Sequence, residues 1–169
     1  MGRVRFSIAS PEPADRQALP RRRPKQPASR AGERKTRKQT QEPPQILVVE
    51  DDFLVAMQIE TALTEAGFAV AGSAATAEEA IELALAKRPA LAVMDVRLAG
   101  KRDGVEAALQ LFREHGIRSV FATAHHDPEL RQRATPAAPL GWLQKPYAMA
   151  SLVQAIRRAL GELAGGRKK

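Results

Sequence analysis

Four polar residues of this chain are of the types that bind a cation and a phosphoryl group. The stretch ILVVEDDF runs from four apolar residues directly into three acids, of which Glu50 and Asp51 come first. Asp95 follows the apolar run ALAVM, and Lys145 follows the short run GWLQ. Carboxylates held close together repel one another and resist leaving water, so such a cluster is expected where a positive charge sits among them.

The residue types favour a hard divalent cation and phosphoryl chemistry. Carboxylate and carbonyl oxygens suit Mg²⁺, with Mn²⁺ as an alternative. Zinc is disfavoured because the chain has no cysteine, and His125 and His126 stand on a predicted loop without an evident third nitrogen ligand. Beside such a cation, the carboxylate of Asp95 can attack a phosphoryl group and become an acyl phosphate. Lys145 can then face the phosphate as a point charge, and Thr123 can donate a hydroxyl hydrogen bond to it.

The elements that must position these residues are five strands alternating with five helices. The predicted strands are QILVVE, FAVAGSA, ALAVMD, IRSVFAT and LGWLQ, with segments of helical apolar spacing after each. This alternation predicts an α/β fold with a parallel sheet covered by helices on both faces. Sites in such sheets lie at the carboxyl ends of the strands. The candidate residues all stand at that edge: Glu50, Asp51, Asp95, Thr123 and Lys145.

Several polar residues near helix starts have a simpler interpretation as helix-terminal groups. Thr76 and Glu79 match a capping box at the start of the second helix. Asp52 is interpreted as a first-turn acid of the first helix, and Asp103 as a helix cap before Gly104.

The positive charge of the chain is confined to its first segment. Residues 1–44 contain 12 Lys+Arg and 4 Asp+Glu, whereas residues 45–169 contain 15 of each. Residues 1–44 are also rich in proline and poor in large apolar side chains, so we expect a disordered basic extension. It is either an electrostatic arm for nucleic acid or another acidic partner, or a solvated tail or mis-assigned start. Residues 45–163 would form the domain, and residues 164–169 a flexible basic tail.

No apolar run reaches the roughly 20 residues that span a bilayer. The first residues, MGRVRFSIASPEP, lack an apolar core of signal-peptide length. We therefore expect a soluble cytoplasmic protein with no membrane partner.

The motifs resemble those of a known family. ILVVEDD, AVMDVRLAG, VFATA and GWLQKPY are similar to the signature segments of the bacterial two-component response-regulator receiver domain, in that family's order and spacing, over about residues 45–163. The resemblance implies a flavodoxin-like (βα)5 three-layer sandwich with strand order 2-1-3-4-5. It also implies a phosphorelay signalling protein of the stand-alone receiver type rather than an ordinary enzyme.

The resemblance assigns a role to each acid. Asp95 would be the phosphoacceptor, charged by a phosphohistidine on a sensor histidine kinase or a histidine phosphotransfer protein. Asp51, Asp95 and the backbone carbonyl of Arg97 would bind Mg²⁺ directly, and Glu50 would act through a water. Beyond this self-catalysed transfer and a slow loss of the phosphate, no enzymatic turnover is expected.

The resemblance also assigns the switch residues. Thr123 and Lys145 would hold the phosphoryl oxygens, and the Lys145–Pro146 peptide bond is often cis in this family. Trp142 occupies the place of the switch aromatic, which is usually Tyr or Phe. It would turn inward when Thr123 moves towards the phosphate, although a static surface aromatic is the alternative.

Other residues differ from the usual family pattern. Arg97, Ala124 and His125 flank the site and are expected to tune the lifetime of the phosphate. Pro136 and Pro139 stand before the fifth strand, where a small residue and glycine are usual, so they should make the fourth helix short.

Three outputs are considered. Only six residues follow Leu163, so we expect signalling through a protein-binding surface of helix 4, strand 5 and helix 5, towards an unknown downstream protein. The alternative is a regulator whose basic arm contacts nucleic acid. A Mg²⁺-dependent phosphohydrolase is disfavoured because Arg97 stands where such enzymes carry a second acid. A homodimer is left open, as are the cognate kinase and signal.

Overall fold

The computed structural model describes residues 42–124 and 127–166. Within them the predicted alternation of strands and helices is confirmed, with these bounds: β1 Gln45–Val49, α1 Phe53–Glu65, β2 Ala69–Ala74, α2 Ala77–Lys87, β3 Leu91–Asp95, α3 Gly104–His115, β4 Ser119–Thr123, α4 Pro128–Ala134, β5 Gly141–Gln144 and α5 Met149–Gly166. The basic extension predicted for residues 1–44 lies outside the described part, except for its last three residues.

The sheet has the predicted topology. Its order is β2-β1-β3-β4-β5, and every neighbouring pair is parallel. The register aligns the tips of β1 and β3 with each other, and the tips of β4 and β5 with each other. Val49 pairs with Met94, so Glu50 and Asp95 follow at one level, and Thr123 pairs with Gln144, directly before Lys145.

Two apolar layers cover the sheet and complete the three-layer sandwich. One layer packs α2, α3 and α4 against side chains such as Met94 and Phe121. The other packs α1 and α5 against side chains such as Ile46 and Val93. Each fully buried aliphatic side chain contributes about 1.5–3 kcal/mol to the stability of the fold. Because successive residues of β1 and β3 point into opposite layers, this burial fixes the register of both strands, and with it the positions of the residues at their tips.

The helix starts near the site are capped by acids. Asp52 stands just before α1 rather than within its first turn, and its Oδ1 accepts hydrogen bonds from the backbone N–H groups of Leu54 and Val55. The earlier interpretation of Asp52 is thus corrected to an N-cap. Asp103 is an N-cap as predicted, and it forms a full capping box with Glu106.

The predicted capping box of α2 is only partly formed. The hydroxyl of Thr76 accepts from the backbone N–H of Glu79 at 3.2 Å. The carboxylate of Glu79, however, accepts from the backbone N–H of Ala75, one residue earlier than the pattern requires. The capping function is retained, because an N–H just outside the helix is satisfied instead.

Proline and glycine were predicted to end the last two helices, and the structure agrees for one of them. The fourth helix is short, as predicted, and a 3₁₀ turn at Thr135–Ala137 follows it. The last helix continues to Gly166, one turn beyond the predicted end at residue 163. Glycine costs only about 1 kcal/mol relative to alanine in a helix, so Gly165 and Gly166 do not end it by themselves. Of the tail predicted to be flexible, residues 167–169 lie outside the described part.

Candidate functional site

A shared ammonium group joins two strand tips that are far apart in sequence. The Nζ of Lys145 donates to Oε2 of Glu50 and to Oδ2 of Asp95, each at 2.7 Å. Glu50 follows β1, Asp95 ends β3, and Lys145 follows β5. The structure thus brings these three predicted residues together at the carboxyl edge of the sheet, where each bond is charge-assisted.

Burial makes it costly for these carboxylates to be charged. Glu50 is 5% exposed and Asp95 is 8% exposed, while Asp51 is on the surface. Burial raises the pKa of Glu50, and the charge of Asp95 adds to this, although the hydrogen bond from Lys145 opposes it. For Lys145, burial lowers the pKa, but the hydrogen bonds to Asp95 and Glu50 outweigh it and raise the pKa overall. Lys145 is therefore a fixed positive charge at neutral pH.

The acid cluster fits a hard divalent cation. Glu50, Asp51 and Asp95 each offer a carboxylate oxygen, and these oxygens lie within 4.8 Å of one another. Three carboxylates face a single ammonium at this point, so negative charge is in excess. Oxygen donors of this kind and number suit Mg²⁺ and also Mn²⁺, and the exposure of Asp51 leaves the cluster open to solvent.

The loop after β3 is held by backbone hydrogen bonds. The N–H of Arg97 donates to Oδ1 of Asp95 at 3.2 Å, so the backbone of Arg97 adjoins the acceptor carboxylate. Two residues on, the N–H of Ala99 donates to the carbonyl of Ala75 at 3.1 Å. These bonds fix the backbone of the segment whose Arg97 carbonyl is the predicted metal ligand.

Gly104 has a site role that the sequence interpretation missed. Its backbone N–H donates to the carbonyl of Val96 at 2.9 Å, and a Cβ atom at this position would lie 1.8 Å from the carbonyl oxygen of Asp95. No side chain can occupy that space without a shift of backbone. The available signal was a glycine at the first position of a helix, where helix propensity disfavours it.

The remaining predicted site residues differ in their exposure to solvent. Thr123 is buried at the tip of β4, and Ala124 after it is exposed. The Lys145–Pro146 peptide bond is cis. His125, with the neighbouring His126, lies outside the described residues.

Trp142 packs against two other side chains. Its ring stacks on Phe121, with centroids 4.6 Å apart and planes 16° apart. The guanidinium of Arg131, on α4, lies over the ring at 5.1 Å from its centroid. Trp142 is therefore partly buried in the layer beneath α4 rather than a bare surface aromatic. Neither neighbour was identified from the sequence.

Comparison with known proteins identifies the class to which this fold and site belong. The family model of the response regulator receiver domain matches residues 46–157. The chain therefore belongs to the response-regulator receiver family, as its motifs predicted. Membership implies phosphorelay signalling in two-component systems, in which receiver domains interact with histidine kinases or phosphotransfer proteins and are not classical enzymes.

Individual relatives agree with this class. The chain is 34% identical over 118 residues to the transcriptional regulatory protein PdtaR of Mycobacterium tuberculosis, an alignment that covers 70% of this chain and 57% of that protein. It is 32% identical over 117 residues to the phyllosphere-induced regulator PhyR of Methylorubrum extorquens, covering 69% of this chain and 43% of that protein. The chain thus spans about half the length of these curated relatives.

Solved structures agree in fold. The signal receiver domain of a modulated diguanylate cyclase from Desulfovibrio desulfuricans G20 is 36% identical, with a TM-score of 0.66 over 71% of this chain and 95% of that one. A CheY-like receiver domain protein from Methanospirillum hungatei JF-1 gives a TM-score of 0.68 over 73% of this chain and 98% of that one, at 22% identity, and supports the fold alone. Among the described residues, none of the helices has the length and apolarity to cross a membrane.

Replacing Lys145 with Met should expose the electrostatic cost of the acid cluster. Glu50 and Asp95 would then be buried beside each other without a cation, so the free energy of unfolding should fall by about 1–3 kcal/mol in the absence of divalent metal. Millimolar Mg²⁺ should stabilise the variant more than the wild type, because no ammonium competes for the carboxylates. Urea unfolding with and without Mg²⁺ measures both effects.

Lys87→Met is the matched control, since Lys87 is an exposed lysine at the end of α2. It should behave like the wild type. If Mg²⁺ stabilises neither the wild type nor the Lys145 variant, the metal assignment fails.

Gly104→Ala should destabilise the fold through its contact with the end of β3. Overpacking of this kind costs about 1–3 kcal/mol, and urea unfolding measures it. Gly141→Ala is the control, because a Cβ there would meet Val120 at an ordinary 3.9 Å. Equal stability of the two variants would contradict the tight contact between Gly104 and the carbonyl of Asp95.

Proposed function

We propose that Asp95 accepts a phosphoryl group from a phosphohistidine on a sensor histidine kinase or histidine phosphotransfer protein. The observation that carries this proposal is the buried Asp95 carboxylate, hydrogen-bonded at 2.7 Å to Lys145 and grouped with Glu50 and Asp51 at the edge of the sheet. A buried carboxylate in contact with a fixed cation and beside further acids suits an acceptor of phosphate better than it suits a structural ion pair.

The residues divide the transfer between them. A carboxylate oxygen of Asp95 attacks phosphorus, the phosphorus–nitrogen bond to the donor imidazole breaks, and the imidazole leaves with that electron pair. Lys145 is already in contact with the attacking group, so its charge is in place for the phosphoryl oxygens without reorganisation. The hydroxyl of Thr123 is assigned as a donor to the same oxygens.

Four residues are assigned to hold the cation. Asp51, Asp95 and the Arg97 carbonyl would hold Mg²⁺ directly, with Glu50 acting through water. When bound, the cation neutralises charge on the transferring phosphoryl group. The backbone of Arg97, fixed to Asp95 through its N–H, supports the assignment of its carbonyl.

Further residues would set the lifetime of the phosphorylated form and transmit its presence to a binding surface. Slow self-catalysed loss of the phosphate would be tuned by Arg97, Ala124 and His125. Thr123 and Trp142 would couple the phosphoryl group to the surface formed by α4, β5 and α5, which would then bind a downstream protein. Contact between Trp142 and Arg131 on α4 supports this choice of surface.

Asp95→Asn should abolish phosphorylation, because an amide oxygen is a poor nucleophile and cannot form the acyl phosphate. Intact-mass spectrometry after incubation with acetyl phosphate and Mg²⁺ should show one added phosphoryl group on the wild type and none on this variant. Asp52→Asn is the matched control, since asparagine also serves as an N-cap, and it should be labelled like the wild type. Labelling of the Asp95 variant would refute the acceptor assignment.

The start of α1 is the surface that we assign to the phosphate donor. Phe53 is 76% exposed, Leu54 is 61% exposed and Met57 is 47% exposed, on the helix that begins directly after the acids of the site. An exposed apolar group of this kind is typical of a protein-binding surface. Its position would place the donor histidine close to Asp95.

Replacing both Phe53 and Leu54 by serine should slow transfer from a protein donor and leave transfer from acetyl phosphate unchanged. Labelling by acetyl phosphate should be unchanged, because the acids and Lys145 are retained. Transfer from a phosphorylated histidine protein that labels the wild type should slow by about tenfold or more, as expected for loss of apolar anchors. Leu85→Ser removes an equally exposed leucine from α2 and should slow neither reaction. Equal transfer to all three proteins would contradict the docking assignment.

A further inference from the structure

Trp142 contacts residues of two other elements. Phe121 of β4 stacks on its ring, with centroids 4.6 Å apart, and the guanidinium of Arg131 of α4 lies 5.1 Å from the ring centroid. Phe121 is fully buried and pairs with Trp142 across the sheet, so the Phe121 side of this arrangement is rigid. Arg131 is an exposed residue of a short helix, so its contact with Trp142 lies at the surface of the molecule.

The stack lies on the two strands that lead to the phosphoryl-binding residues. Phe121 precedes Thr123 by two residues on β4, and Trp142 precedes Lys145 by three residues along β5. A shift of either strand tip towards a phosphoryl group therefore acts directly on the stacked rings. In the structure, the stack coexists with Lys145 bound to the carboxylates of Glu50 and Asp95.

The helix that carries Arg131 buries little of its own surface. Over its seven residues α4 buries only Ala134 fully, with Leu130 packed partly against the same layer. Arg133 adds an ion pair to Asp103 at 2.7 Å, but both side chains are substantially exposed, and exposed pairs contribute little. The contact between Arg131 and Trp142 therefore joins β5 to a helix that buries little of its own surface.

We propose that Arg131 is a latch on Trp142 that favours the arrangement in which Lys145 is bound by the carboxylates. This inference rests on the proposed function, because it describes how the phosphoryl site and the α4–β5 surface oppose each other. A phosphoryl group on Asp95 that draws Thr123 towards it must work against the latch. By linkage, removing the latch strengthens binding of a phosphoryl group or its mimic at the site.

The size of the effect follows from the geometry. A cation over a tryptophan ring at an exposed position changes a two-state population by about twofold to fivefold, and by more where it is desolvated. Loss of Arg131 should shift the binding midpoint of a phosphoryl mimic by a factor in this range.

The test uses Trp142 as its own reporter, because it is the only tryptophan of the chain. The full chain is titrated with beryllium fluoride at saturating Mg²⁺, and the fluorescence of Trp142 is followed. Arg131→Met keeps side-chain length but loses the planar charge, and its midpoint should fall at least about twofold below that of the wild type. Arg158→Met removes an exposed arginine from α5 and should leave the midpoint unchanged.

The outcomes separate the latch from the function on which it rests. If the wild type shows no saturable response, or Asp95→Asn responds as the wild type does, the proposed function itself fails. If the wild type responds through Asp95 but Arg131→Met has an equal or higher midpoint, only the latch is overturned. An equal fall in the Arg158 variant would also overturn it, since general charge would then explain the effect. Thermal unfolding verifies that both exposed substitutions leave the fold intact.

Discussion

The contact on which the site depends is the sharing of one ammonium group between two buried carboxylates. Without Lys145, Glu50 and Asp95 would face each other with their charges uncompensated, which is a costly arrangement in a desolvated place. With it, the cluster still carries more negative than positive charge, because Asp51 adds a third carboxylate. The folded protein therefore tolerates this cluster, and the excess of negative charge still attracts a divalent cation.

The parallel sheet makes this contact between residues that are far apart in the chain. Glu50 and Lys145 are separated by 95 positions, and only the alignment of β1, β3 and β5 at their carboxyl ends brings them within 2.7 Å. The first turn of α3 then packs against the end of β3, where the absence of a side chain at Gly104 lets the helix meet the carbonyl of Asp95. The tip of β3 that carries Asp95 and the start of α3 thus form one packed unit.

Apolar periodicity and strand-terminal polar residues predicted the parallel sheet and the edge at which the site forms, because these are local patterns, whereas the strand order was implied by the resemblance to the receiver family. The sequence also identified Asp95, Glu50 and Lys145 as neighbours, since parallel strands carry their ends to one edge. It did not identify the contacts of Trp142 with Phe121 and Arg131, or the pairing of Arg133 with Asp103. Such contacts depend on how a short helix is oriented on the sheet, and no periodicity encodes that. The added turn of α5 was missed because glycine weakens a helix without necessarily ending it.

The central claim is that Asp95 carries a phosphoryl group as an acyl phosphate, and the most direct measurement traps that bond chemically. Borohydride reduces an acyl phosphate of aspartate to homoserine, which peptide mass spectrometry locates in the chain. After incubation of the protein with acetyl phosphate and Mg²⁺, the account predicts homoserine at position 95 and at no other aspartate. Homoserine at Asp51 or Asp52, or its absence from a protein that has gained a phosphoryl group, would contradict the account.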